Sequence, residues 1–192
     1  DIRSMRKVLQ LLSVVVVGIA VALMLISPEL VLIFGSPKYR EAVYVIPPVA
    51  ASVFFIFIYN ILSMPQFYYE KTQFLMAASM AAAGANVVLN FIFIRLFGYI
   101  AAGYTTLACY MLYSVGHYIV SKRILVNEGI QENLMNPGFL LACSVFLIGA
   151  SIICNLIFPY RILRYAILLA SAGLVFWKKE LLLKTMADIR KK

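Results

Sequence analysis

Charge is what this sequence has least of. Only eight Asp and Glu residues occur among 192, and charged residues of both signs make up 13% of the chain, where a soluble domain carries about 25%. Hydrophobic residues reach 64%. A water-soluble domain with that balance would expose more apolar surface than folded monomers tolerate. Acids and histidine are also too few for most enzymes. The single histidine is His117, no carboxylate lies deep inside a long uncharged run, and the Walker A loop, GxGxxG, HExxH and GxSxG motifs are absent. Glu29 falls at the outer end of the first helix and reads as interfacial rather than catalytic. Cysteines are three, Cys109, Cys143 and Cys154, without CxxC spacing. They read as small packing residues, which argues against a disulfide framework or a metal site. Nothing points to a cofactor.

What the chain has instead is uncharged length. Runs without Asp, Glu, Lys or Arg extend over 8–28, 42–69, 72–94, 96–121 and 133–160. Each exceeds the roughly 18–20 residues that a helix rising about 1.5 Å per residue needs to cross about 30 Å of hydrocarbon. They are too long, and alternate too little, to be barrel strands. A sixth span is shorter. Between Arg164 and Lys178 lies only YAILLASAGLVFW, but 160–177 reaches across if Arg161 and Arg164 snorkel to one interface and Trp177 anchors the other. An amphipathic surface helix there would lack a polar face. The sequence therefore predicts an all-α polytopic transmembrane bundle, with helices over 8–33, 41–66, 72–94, 99–121, 138–158 and 162–178.

Six spans with both ends cytoplasmic place twelve of the seventeen Lys and Arg residues inside, Lys71, Lys122 and Arg123 among them. Five spans are almost as good by charge alone, and the hydrophobicity of the last segment decides for six. The net charge of +9 is then a topology signal and not a nucleic-acid site. The chain divides into four spans over 1–123, a cytoplasmic connection over 124–137 with a short surface helix in ILVNEGIQENLMN, and two spans plus a basic tail over 138–192. That tail, KKELLLKTMADIRKK, is expected to lie against anionic headgroups. The chain opens with Asp1 and with charges rather than a signal peptide, and reads as a piece of a longer protein.

Residues 63–74, SMPQFYYEKTQF, interrupt two such runs. A single helix through Glu70 and Lys71 would be far longer than a membrane is thick, so they form an inner turn, with Pro65 closing the preceding helix and Tyr68 and Tyr69 in the aromatic belt. At the predicted outer turns, LIFGSPKYREA and IRLFGYIAAGY each place Phe-Gly and then Tyr. Here Gly is a permissive helix stop and Tyr an interfacial ring.

YREAVYVIPPVAASVFF, then FYYEKTQF, then NVVLNFIFIRLFGYIAAGYTTLACYMLYSVGHY resemble the C-terminal half of bacterial polysaccharide flippases. These are the O-antigen and capsule transporters of the multidrug/oligosaccharidyl-lipid/polysaccharide exporter superfamily. The resemblance runs from about residue 11 to 123, and the last two spans fit by position and hydrophobicity only. It implies half of a two-lobed, MATE-like fold around a central cavity. It also implies that undecaprenyl-pyrophosphate-linked oligosaccharide crosses the cytoplasmic membrane by alternating access. The implied partners are membrane lipid, this lipid-linked substrate, an N-terminal lobe of the same protein and other polysaccharide-assembly proteins.

Polar residues inside spans are costly and usually face protein or a water-filled path. Asn86 and Asn90 share one helix face with Ala78 and Ala82. They read as a sugar-facing surface or, with more weight, as a close helix contact of small-xxx-small type. Thr106, Tyr110, Tyr113 and His117 follow at spacings of four, three and four, a polar stripe that lines a cavity, with His117 near the cytoplasmic mouth, or makes interhelical hydrogen bonds. Asn60 and Asn155 read as interhelical hydrogen bonds. Pro47 and Pro48 are hinge candidates if deep in their helix, and are simply tolerated if in its first turn, the favoured placement. Rival functions are a cation-coupled multidrug exporter of the same superfamily, which would need intramembrane carboxylates, and a membrane enzyme or scaffold of polysaccharide assembly.

Overall fold

A computed structural model describes residues 2–177, and all its regular structure is helical. Helix α1 spans Ile2–Phe34 and is followed by a 3-10 segment, Pro37–Val45. Then come α2 (Ile46–Tyr68), α3 (Gln73–Phe97), α4 (Ala101–Asn127), α5 (Pro137–Ile157) and α6 (Arg161–Trp177). The tail over 178–192 and the Trp177 side chain, expected at a headgroup surface, lie outside the described residues.

Four of these segments are long and apolar enough to cross a bilayer: α1, the 3-10 segment with α2, α3 and α5. Among the other two expected spans, α4 is longer than a bilayer requires, but its tyrosines, threonines and His117 lower its hydropathy. Helix α6 has 17 described residues, rising roughly 25 Å, somewhat less than the hydrocarbon thickness.

Helix α2 is the centre of the bundle, with α1, α4 and α5 packed around it. Phe54, Ile58, Ile61 and Leu62 from α2 form the buried core with Met24 from α1, Leu107 from α4 and Leu147 from α5. Where α2 meets α4, Gly103 lies under Pro48. A Cβ at Gly103 would come within 2.7 Å of Pro48 Cγ and 3.0 Å of the Val45 carbonyl oxygen. Helix α3 packs chiefly on α4 and buries none of its residues. Met76, Met80, Val87 and Phe91 stand exposed on it.

A proline inside a helix leaves a carbonyl without its usual donor, and at Pro28 a neighbouring side chain supplies one. Pro28 cannot bond the Met24 carbonyl four residues back, and the buried Ser27 hydroxyl donates to it at 2.8 Å. The Tyr44 carbonyl, just ahead of Pro47 and Pro48, is approached by the Asn155 amide nitrogen of α5 at 3.3 Å, which also donates to Tyr104 Oη at 3.0 Å. Asn155 thus makes interhelical hydrogen bonds, as expected.

Several expectations need correction. The second helix does not begin at residue 41, because the chain first runs as 3-10 helix and turns α-helical at Ile46. Pro47 and Pro48 therefore occupy the first turn of α2, where no N–H is required of them, and both are buried. Pro65 does not close α2. The helix continues to Tyr68, and the turn comes at Glu70, whose φ of 56° is left-handed. No separate surface helix forms in the connection over 124–136. ILVN extends α4 to Asn127, Gly129 at φ 79° ends it, and the chain to Asn136 is irregular. Asn60 bonds the Ile56 carbonyl of its own helix at 2.7 Å rather than a neighbour. Arg164 does not snorkel. It is buried, and its guanidinium grips Glu29 of α1 through two contacts, at 2.8 and 2.9 Å.

The two echoing Phe-Gly turns meet, Tyr99 Oη donating to Glu41 at 3.0 Å. Their glycines differ. Gly98 takes a left-handed φ of 78°, whereas Gly35 is required by space, since a Cβ there would lie 2.5 Å from the Val31 carbonyl oxygen.

Candidate functional site

Six polar residues of α2, α3 and α4 converge on one cavity of about 460 Å³. Tyr59 comes from α2, Ser79 and Asn86 from α3, and Thr106, Tyr110 and Tyr113 from α4, with Ala82, Ala83, Val87 and Cys109 completing the wall. The spacing of the α4 stripe explains this, since steps of four and three return to the same helix face. Alanine at 82 and 83 keeps the α3 side shallow, so the two helices leave room between them.

Aromatic rings form one side. Tyr59 and Tyr110 lie parallel with centroids 6.3 Å apart, and Tyr113 meets Tyr59 edge-on at 4.7 Å. Hydrogen bonds fix the other side. Tyr113 Oη and Ser79 Oγ are 2.6 Å apart, joining α4 to α3. Thr105 Oγ1 donates to Asn90 Oδ1 at 2.5 Å, and Asn90 Nδ2 donates to Asn86 Oδ1 at 2.9 Å. This relay engages Asn90 at both ends and the oxygen of Asn86, leaving the Asn86 amide N–H groups for the cavity. The wall therefore offers hydroxyls, a carboxamide and aromatic faces, a neutral set suited to holding a polyhydroxylated molecule.

Four of the six expected substrate-path residues, Asn86, Thr106, Tyr110 and Tyr113, line the cavity together. Asn90 is not among them and serves the α3–α4 contact through Thr105. Thr106 also back-bonds to the Ala102 carbonyl at 2.8 Å. His117 stands one turn beyond and is fully buried rather than at a mouth, because Gln66 and Tyr59 of α2 and Phe74 of α3 cover it. Pro47 and Pro48 do not line the cavity.

Sequence reasoning missed Tyr59, Ser79 and Gln66. Gln66 was legible as a polar residue within an uncharged run, whereas Tyr59 and Ser79 differ little in sequence from an ordinary span residue. It also missed the clamp at the other end of the bundle, where Glu29 receives Arg164, the Tyr165 hydroxyl at 2.9 Å and Arg161 at 3.8 Å. A second, apolar groove of about 270 Å³ runs between α2, α4 and α5 along Phe54, Ile58, Val115 and Leu141. It lacks the polar convergence that distinguishes the α2–α3–α4 cavity.

Comparison with known protein families, with curated proteins and with solved structures finds no match to this chain.

Proposed function

We propose that this chain is a C-terminal helical lobe of a carrier that moves lipid-linked oligosaccharide across a cytoplasmic membrane for surface polysaccharide assembly. The observation that carries this reading is the cavity between α2, α3 and α4. Hydroxyl, amide and tyrosine groups gather there, between helices whose outer surfaces are apolar. Polar groups on a membrane helix are costly unless they meet protein or a polar ligand. A sugar needs what this wall offers: donors and acceptors without net charge, and the flat apolar face of a ring. The resemblance of FYYEKTQF and the following two helices to polysaccharide flippases supports the same substrate class.

Helix α3, packed on one side only, fits a helix at the seam of a larger bundle, where an N-terminal lobe would complete the path. In this reading the carrier is not an enzyme. The rival cation-coupled exporter calls for a carboxylate free to take a cation. Glu29 of α1 is instead held by Arg164 and Tyr165.

Cavity substitutions in the full-length parent, expressed in a host lacking its own copy, test the reading. Tyr59→Ala and Tyr113→Ala are expected to lower surface polysaccharide at least about tenfold at unchanged protein level, roughly the 1.4 kcal/mol that a tenfold change represents. Tyr68→Ala, on an exposed side chain away from the cavity, is expected to leave it unchanged. Wild-type polysaccharide in both cavity variants would refute the assignment.

A further inference from the structure

His117 is the only histidine of the chain and is completely buried where α2, α3 and α4 meet. Its ring is boxed by Tyr59 at 5.8 Å, Phe74 at 5.4 Å and Tyr113 at 4.5 Å, the last two edge-on to it. Gln66, equally buried, places its amide nitrogen 2.8 Å from His117 Nδ1 and 3.3 Å from the Leu62 carbonyl oxygen. The second contact orients the amide, because the reverse orientation would set its oxygen against a carbonyl oxygen. Gln66 therefore donates to Nδ1, and the neutral imidazole carries its proton on Nε2.

Two atoms of this pair, His117 Nε2 and Gln66 Oε1, are buried without a partner. An unpaired donor and an unpaired acceptor within one buried pair are a high-energy arrangement and mark a place where a second state is accessible. Protonation supplies that state. A proton taken from water adds to the Nδ1 lone pair, and the ring gains one positive charge. The amide-to-Nδ1 hydrogen bond is lost, because two N–H groups now face each other. Inverting the Gln66 amide restores a bond, Nδ1–H donating to Oε1, and gives up the amide's bond to the Leu62 carbonyl oxygen, so the inverted amide is held only while the ring is charged. Tyr59 and Tyr113 are the titratable groups facing His117, from α2 and α4. Helix α3 presents Phe74, and no ion pair involves His117 among the described residues.

We propose that His117 is a proton-binding site, that Gln66 reads its occupancy by inverting its amide, and that the result is passed to the cavity through Tyr59 and Tyr113. Those two tyrosines belong to both places, boxing the imidazole and lining the cavity. The inference is independent of what the cavity carries.

A single histidine gives a single imidazole spectrum, so the test is direct. The full chain, labelled with ¹⁵N in histidine and glutamine side chains and held in lipid nanodiscs, is followed by NMR from pH 8 to pH 5. The Gln66 amide is assigned by its loss in Gln66→Glu, and the ring signals of Tyr59 and Tyr113 by substitution to Phe. The expected result is one neutral tautomer at pH 8, protonated on Nε2. On acidification the imidazole titrates, and the Gln66 amide and both tyrosine signals move with the same midpoint. Gln66→Glu is expected to raise that midpoint by about 1–3 pH units, because a carboxylate favours the charged ring. The proposal is overturned by the opposite tautomer at pH 8, by an imidazole that stays neutral throughout, or by a titration that leaves Gln66 or the tyrosines unmoved. An unshifted midpoint in Gln66→Glu overturns it as well.

Discussion

A guanidinium buried beside an apolar helix persists only with its counter-charge in place. Arg164 meets this condition through both oxygens of Glu29 and the Leu25 carbonyl at 2.8 Å, and its side chain is 4% exposed. Removing one partner leaves the other charge uncompensated, a loss of about 3–5 kcal/mol, whereas replacing both by apolar residues of similar size is often neutral. Glu29→Met is therefore expected to lower the thermal midpoint in detergent sharply, and Glu29→Met combined with Arg164→Met to recover most of the loss. Equal destabilisation by the single and double variants would show that the pair is not coupled. Both residues were visible in the sequence, but their pairing was not. Glu29 and Arg164 lie 135 positions apart, beyond the reach of any local pattern.

At the scale of elements, the α2–α4 crossing is set by the absence of a side chain at Gly103. Gly103→Ala would push a Cβ into the rigid Pro48 ring and the Val45 carbonyl, a cost of about 1–3 kcal/mol. Gly84→Ala on α3 meets nothing within 4 Å and is expected to be neutral or to stabilise by up to about 1 kcal/mol through helix propensity. A Gly103→Ala variant as stable in detergent as Gly84→Ala would show that the crossing has room to spare. The α3–α4 pairing uses different chemistry, the Thr105–Asn90 hydrogen bond beside the Tyr113–Ser79 contact. Asn90→Leu is expected to speed amide exchange in α3 by roughly 5–30-fold, the equivalent of about 1–2 kcal/mol, and to leave α1 unchanged. Uniform exchange across both helices would mean that α3 is held by other contacts. Helical periodicity placed Thr106, Tyr110 and Tyr113 on one face. It did not reveal that Gln66 covers the next turn and buries His117, because the neighbour over each turn depends on how helices cross.

At the scale of the whole molecule, exposed apolar side chains on α1, α3 and α5 fit a bilayer better than water. Helix α3 has 25 residues, roughly 37 Å of rise, enough to cross the hydrocarbon. Cysteines introduced at Lys71 and Arg95 in a cysteine-free background are therefore expected to react with an impermeant thiol reagent from opposite sides of the membrane. Labelling of both from one side would remove α3 as a span and the carrier reading with it.

Sequence alone determined the helical class, four of the six expected membrane-length segments and the turns near 70 and 98. These follow from local quantities: the length of an uncharged run, helix periodicity and the φ that glycine permits. Tertiary structure decided which polar residues face a cavity, which bond one another and which are sealed away. It brought Tyr59, Ser79 and Tyr113 to one wall, took Asn90 out of it and tied Glu29 to Arg164. Those outcomes depend on distances between segments far apart in the chain, and no local pattern encodes them.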